Sequence, residues 1–404
     1  MNTFDDTADA RSSDPQQTRG VTAGARAFRS VAFVGDLCLA GDEIAAALEV
    51  NKPDLWAELR RVFGDDTAIV ANIECAFTEE RVGRPFKWAN LRASPQLGWA
   101  LDRLATGILG NNHVGDFGVQ GVIDTQNLLA SKAIATAGYG LSVSDAMRPA
   151  LLDVNGHRVG IVSLCCPTTN SENLATHWTP GVAPLGMKTL ERAIGEAKPT
   201  CDAVVAYLHW GCERVHDPAP DQLRLARHAI DCGADAVIGC HSHTVQSYEQ
   251  YRGRWIFYGL GNYLFHRGSA QQVLNNGRIV GVPLILNGSQ RESLVVHFAV
   301  TGDRGAGRLE LRHIQAMRFG GDWIPRPIGL EALTCDVEAS NARLQKYAER
   351  HLPRPVDMTE PVFRAKLRNG ILAYWYSVET IAVPPARSMP TRVLRRLWRA
   401  ARGH

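Results

Sequence analysis

Ala236-Val237-Ile238-Gly239-Cys240-His241-Ser242-His243 is the stretch on which the fold turns. The apolar run Ala236-Val237-Ile238 reads as a buried strand that exits into a loop. Two histidines one residue apart at such an exit can bring both imidazoles to one point. Neutral imidazole is the commonest metal ligand. The alternative is one solvated and one packed histidine, and a short motif alone does not choose between them. What the other strand ends deliver does.

The same pattern recurs along the chain. Val31-Ala32-Phe33-Val34 ends at Gly35-Asp36, and Ala68-Ile69-Val70-Ala71 ends at Asn72-Ile73-Glu74. Gly107-Ile108-Leu109-Gly110 ends at Asn111-Asn112-His113, and the strand 203–208 ends at His209-Trp210-Gly211. Trp255-Ile256-Phe257-Tyr258 leads to Asn262, an expected substrate contact. Open α/β sheets bind ligands beyond the carboxyl ends of their strands. The expected metal ligands are therefore Asp36, Glu74, Asn112, His209, His241 and His243, with Glu74 as the bridge. Carboxylates, an amide oxygen and imidazoles suit one or two divalent ions of Mn, Zn, Fe or Ca. Two ions would serve phosphoester hydrolysis. His113 is the expected acid or base. Asp116 either holds its tautomer or caps the helix that follows. Cys38, two residues past Asp36, is either an extra ligand or a small buried apolar residue.

Helical patterns over 54–63, 122–132, 188–197 and 221–232 alternate with these strands, which gives an α/β class. Asn155-Gly156 predicts a hairpin between 151–154 and 158–164. Residues 165–185 and 267–290 read as loops. Residues 293–300 and 308–317 read as an antiparallel pair. Three regions are expected: a disordered tail over 1–26, one catalytic domain over 27–325 and a helical extension over 326–404. The basic amphipathic end, 392–402, is either a frayed helix or a contact for an anionic membrane face or partner.

Composition is ordinary for a globular chain of 404 residues, with 45% hydrophobic and 21% charged residues. A net charge of +3 gives no argument for nucleic acid. No apolar run reaches about 18 residues, so no membrane-spanning helix is expected. Nine cysteines without a CxxC pair, and a polar N-terminus, point to reduced thiols and a cytoplasmic location.

Read together, six segments resemble the CapA family of capsule and poly-γ-glutamate synthesis proteins, a branch of the calcineurin-like metallophosphatases. They are 34–36, 72–74, 111–118, 209–213, 239–243 and 258–262. The resemblance implies a metallophosphatase β-sandwich flanked by helices, with the ligand loops meeting at one edge. Asn72, Asn111, Trp210 and Glu213 lie in its motifs and are expected to contact substrate. The chain departs from the usual Asp-x-His, having Cys38, and from Gly-Asp-x-x-Asp, having Asn72-Ile73-Glu74. The implied activity is hydrolysis or transfer at a phosphoester or a γ-glutamyl or peptide-type amide. The substrate is then a small molecule, a peptide or a polymer. A second chemistry known within the resemblance is epimerisation of the C-terminal residue of a lasso-peptide precursor. For that, His113 with Asp116 and His216 with Asp217 would supply two acid–base couples. A non-catalytic scaffold of a polymer synthase is the third reading.

Overall fold

The computed structural model describes residues 27–351, apart from 170–172, 266–267 and 306. The expected tail (1–26) and the basic end (392–402) lie outside the described residues.

The parallel strands are continuous apolar runs because both of their faces are covered. Ser30–Leu37, Thr67–Ile73 and Ala203–His209 are buried at every position. They belong to two sheets packed face to face. The first runs Pro325–Ile328, Arg308–Phe319, Glu292–Thr301, Ser30–Leu37, Thr67–Ile73, Leu104–Ile108 and Ala135–Ala137, with Asn262–Leu264 added beside Ser30–Leu37. The second runs Tyr248–Tyr251, Arg254–Phe257, Ala236–Cys240, Ala203–His209, His157–Cys165 and Ala150–Val154. Their inner faces share a core that includes Phe33, Val70, Ile161, Val205, Ile238 and Phe298. The Tyr207 hydroxyl crosses that core and donates to the Val34 carbonyl at 2.7 Å.

Helices cover both outer faces. Asp42–Asn51 and Ala57–Phe63 pack outside the first sheet, where Ile44, Leu48 and Leu59 join its outer core. Gly118–Ser131 lies on the same side through Val122 and Leu129. Met187–Ala197, Pro220–Asp231 and Val337–His351 cover the second sheet through Leu190, Ile194, Leu223, Ala226 and Leu344. The result is the helix-flanked sandwich that the resemblance implies.

Asn155 and Gly156 both take positive φ (55° and 77°), as a two-residue hairpin turn requires. Two expectations need correction. The stretch 267–290 is not only loop: Gly268–Val273 and Ile279–Leu284 pair as a hairpin. It looked like loop because Asn276 and Gly277 interrupt a weak pattern. The boundary at 325/326 falls inside the sheet, since Pro325–Ile328 pairs antiparallel with Arg308–Phe319. Among the described residues, no helix is long and apolar enough to cross a membrane.

Candidate metal centre

Each site residue hangs from the carboxyl end of a strand, and strand register brings these ends to one level. Asp36 pairs across the sheet with Asn72 on one side and Asn262 on the other. His209 pairs with Cys165 and Cys240. Two glycines permit the close approach. A Cβ on Gly35 would lie 1.9 Å from the Gly261 carbonyl oxygen, and one on Gly239 would lie 2.0 Å from that of Tyr258.

The side chains of Asp36 and Glu74 are fully buried. Asn72 Nδ2 donates to Asp36 Oδ1 at 2.8 Å and to Glu74 Oε2 at 3.2 Å. Asn111 Nδ2 donates to Asn72 Oδ1 at 3.0 Å, while Asn111 Oδ1 accepts from the His113 and Val114 amides. Asn72 and Asn111, expected at the substrate, thus form the frame that holds the carboxylates. Asn262 has a similar part. Its Oδ1 lies 3.0 Å from His243 Nδ1, and its Nδ2 donates to the Gln290 carbonyl.

The other oxygen of Glu74, Oε1, has no hydrogen-bond partner. It faces His209 Nε2 and His243 Nε2, each at 3.7 Å. Buried His241 Nδ1 is likewise unpartnered. Asn112 Oδ1 sits 2.8 Å from His209 Nε2. Ligand atoms of Glu74, His241 and His243 lie within 4.8 Å of one another, as do those of Asp36, His209 and Cys240. Buried polar atoms left without partners are costly, and a cation would satisfy these. The donor set therefore fits a divalent transition metal.

Charge follows the same geometry. Burial, and then the neighbouring Asp36 charge, push the Glu74 carboxyl well above its ordinary range. Burial works against the Asp36 carboxylate too, but hydrogen bonding and attraction from His243 hold it below the usual value. Burial depresses His209 strongly and takes His241 down to about 4. Half-buried His297, far along the chain in Glu292–Thr301, is also depressed to about 4. A histidine depressed in the folded state destabilises it in acid, because the unfolded chain takes up protons that the fold refuses. Depressed His241 and His297 therefore subtract stability from the metal-free protein as pH falls from about 6.5 to about 4, while the raised Glu74 and His243 work the other way. Urea midpoints of wild type and His297→Phe at pH 7 and pH 5 isolate the His297 share: the variant should gain on wild type as pH falls. An equal difference at both pH values would contradict it.

His113 Nδ1 lies 2.7 Å from Asp116 Oδ2. The Leu91 amide donates to the same oxygen at 2.7 Å. Lys87, which the sequence did not flag, binds Asp116 Oδ1 and also the Asn112 carbonyl. Burial, then the Lys87 ammonium, hold His113 below its ordinary value, so the ring rests neutral. Asp116 does not cap the following helix, whose N-cap is Phe117.

Three expected site residues serve other contacts. Trp210 follows His209, so strand alternation turns it to the opposite face. There it is 1% exposed, stacks on Tyr258 and donates to the Tyr258 carbonyl at 2.9 Å. It is a core residue and not a substrate contact. Asp217 is half exposed and accepts from Ser340 Oγ at 2.6 Å and from Arg343 at 2.8 Å. It anchors helix Val337–His351. His216 Nδ1 lies 3.2 Å from the Val245 carbonyl. The second acid–base couple is thus not formed. Glu213 lies exposed at the rim. Crowding by the cleft opposes its charge, but His243, His241 and His113 hold its carboxyl below the usual value. Cys38 is buried in the outer core of the first sheet, which favours the apolar reading over the ligand one.

The family described as bacterial capsule synthesis protein PGA_cap matches residues 30–267, the span that holds every strand end described above. This chain belongs to that family. Among related proteins, the PGA biosynthesis protein CapA of Bacillus subtilis is 33% identical over 245 residues, 59% of this chain and 64% of its own. The capsule biosynthesis protein CapA of Bacillus anthracis is 34% identical over 164 residues, 40% of each chain. A probable polyglutamine synthesis accessory protein of Mycobacterium tuberculosis is 32% identical over 167 residues, 38% of this chain and 43% of its own. The matches thus span less than two thirds of these relatives' length. Among solved structures, a calcineurin-like phosphoesterase from Bacillus subtilis aligns at a TM-score of 0.36 and 15% identity, covering 80% of this chain and 97% of that one. The NAD nucleotidase of Haemophilus influenzae aligns at 0.40 and 11%, covering 80% and 67%.

Proposed function

We propose that this chain is a metal-dependent hydrolase-type enzyme of capsule or poly-γ-glutamate metabolism. It cleaves or transfers at a phosphoester or a γ-glutamyl amide. The observation that carries this reading is the unpartnered Glu74 Oε1, buried and faced by two ring nitrogens at 3.7 Å. Glu74, His209, His241 and His243 would hold the ion, with Asp36 and Asn112 beside them. Bound there, a divalent ion supplies Lewis-acid polarisation of the scissile group.

The chain's own residues do the rest. Asp116 accepts the Nδ1–H of His113, so Nε2 carries the lone pair that takes a proton. Asp116 then steadies the imidazolium, as Lys87 keeps Asp116 ionised. Asn262 turns His243 so that its Nε2 faces Glu74. The epimerase reading loses its second couple, because Asp217 is held by Arg343 and Ser340.

The test is metal content per chain after purification without chelator, with His241→Ala as the comparison. Wild-type protein should retain Mn, Zn or Fe and the variant should lose it. Wild-type protein should also turn over bis(p-nitrophenyl) phosphate or γ-glutamyl-p-nitroanilide, which separates the two bond types. Folded wild-type protein without metal or turnover would leave a binding role in a polymer-synthesising assembly.

A further inference from the structure

We infer that Cys240 is a positioning residue that turns His209 toward the metal-binding point through a sulfur-accepted hydrogen bond. The inference rests on the metal reading above. Strands Ala203–His209 and Ala236–Cys240 are parallel neighbours, and their last residues are partners in register. Cys240 Sγ lies 3.2 Å from His209 Nδ1 and 3.6 Å from the Leu208 carbonyl. Cys240 is 1% exposed, so water does not complete its bonding.

A thiol has one weak donor and weak acceptor lone pairs. The Leu208 carbonyl and the neighbouring Asp36 carboxylate can only accept, so the S–H points to one of them. The lone pairs then receive the Nδ1–H of His209. That fixes the tautomer and leaves the Nε2 lone pair facing Asn112 Oδ1 at 2.8 Å and Glu74 Oε1 at 3.7 Å. Three acceptors turned toward one another are a site for a cation. The opposite tautomer would spend Nε2–H on Asn112 Oδ1 and leave His209 no lone pair for a cation.

The choice of sulfur has an electrostatic reason. A histidine that binds metal commonly donates its second N–H to a carboxylate, a carbonyl or water. Here Asp36 and Glu74 already place two carboxyl groups at this depth. A third would add repulsion with no solvent to screen it. A thiol accepts the bond without adding charge. Cys165, the partner of His209 on the other side, bonds instead with Thr169 Oγ1 at 3.3 Å. It is the natural control.

The experiment titrates the full chain with Zn2+ and with Co2+. Loss of an orienting partner typically weakens metal binding by about 10–100-fold. Cys240→Ala should show that loss and an altered visible cobalt spectrum at saturation. Cys240→Ser, which keeps a donor and an acceptor, should restore near wild-type affinity. Cys165→Ala should change neither. Wild-type affinity and spectrum in Cys240→Ala would overturn the inference. So would a thiolate-to-cobalt charge-transfer band in wild type that vanishes in Cys240→Ser, since it would put sulfur on the ion itself. Should Cys240→Ala not fold, the Cys240→Ser affinity and the wild-type cobalt spectrum decide. Wild-type protein that binds neither ion overturns the metal reading, and this inference with it; a defect confined to the variants cannot be confused with that result.

Discussion

Glu74→Gln should abolish metal loading and, at the same time, make the metal-free protein more stable. The carboxylate is fully buried with one unpartnered oxygen, and burial and Asp36 both oppose its charge. A Gln side chain can turn its amide oxygen to Asn72 Nδ2, which now serves Glu74 Oε2. Its NH2 group then faces the ring nitrogens of His209 and His243, where a donor is welcome. Removing an unsatisfied buried polar atom is worth about 1–3 kcal/mol. The sign with pH is definite. A carboxyl raised in the fold contributes stability below its unfolded value, and that stability fades as pH rises toward the raised value. The advantage of Gln over Glu should therefore grow as pH rises from the ordinary glutamate range. Metal affinity should drop by more than the about 100-fold that loss of an orienting partner causes. Elemental analysis and urea midpoints of metal-free protein at two pH values read both effects. Wild-type loading by Glu74→Gln would remove Glu74 from the centre.

The second large effect belongs to Lys87→Met. Its ammonium is mostly buried, with 21% of the side chain exposed, against an Asp116 that is 1% exposed. Removing one partner of a buried ion pair costs about 3–5 kcal/mol, because the other charge stays behind. We expect the low end, about 3 kcal/mol, since His113 and the Leu91 amide still serve Asp116. Without the ammonium nearby, His113 protonates more readily, so the acidic limb of the rate profile should move to higher pH. General acid–base catalysis contributes about 10²–10⁴-fold, so kcat should fall by about 10²-fold as the dyad loosens. Lys87→Arg should recover part of both losses. A variant with unchanged midpoint, kcat and pH profile would reduce Lys87 to a surface residue.

What the sequence shows and what it hides divide along physical lines. Strand ends are legible because buried parallel strands are short apolar runs, and the polar residue that stops each run is the site. Asp36, Glu74, His209, His241 and His243 were readable on that ground, and the structure brings them together. Asn72, Asn111 and Asn262 were visible, but their part was not. An amide that frames a carboxylate looks, in sequence, like one that touches substrate. Trp210 was misread because the chain's alternation, and not its nearness to His209, decides which way a side chain faces. Lys87 was missed altogether. It comes from an irregular stretch between Phe77 and Arg92, and only tertiary contact reveals that it reaches Asp116. Cys240 stood inside the quoted motif, yet a buried cysteine carries no mark of the bond it accepts.

The position of Ser30–Leu37 bears on how the molecule is made. It is the first described strand in the chain, yet it lies inside its sheet, with Thr67–Ile73 on one edge and Glu292–Thr301 on the other. During synthesis the Ser30–Phe33 part of the second edge has nothing to pair with until residue 301 has left the ribosome; only Asp36 and Leu37 meet an earlier partner, Asn262–Leu264. At about 5–20 residues per second, that leaves an open apolar strand edge for on the order of tens of seconds. Exposed edges of this kind recruit other chains. Asp36 and His241, which bond at 3.2 Å, are 205 residues apart, so the centre closes late as well. The nascent chain should therefore depend on holding chaperones. Fragments ending near residue 290 should aggregate, where those ending near 351 stay in solution. Equal solubility of the two, compared in a chaperone-free translation system, would show that the edge is guarded by other means.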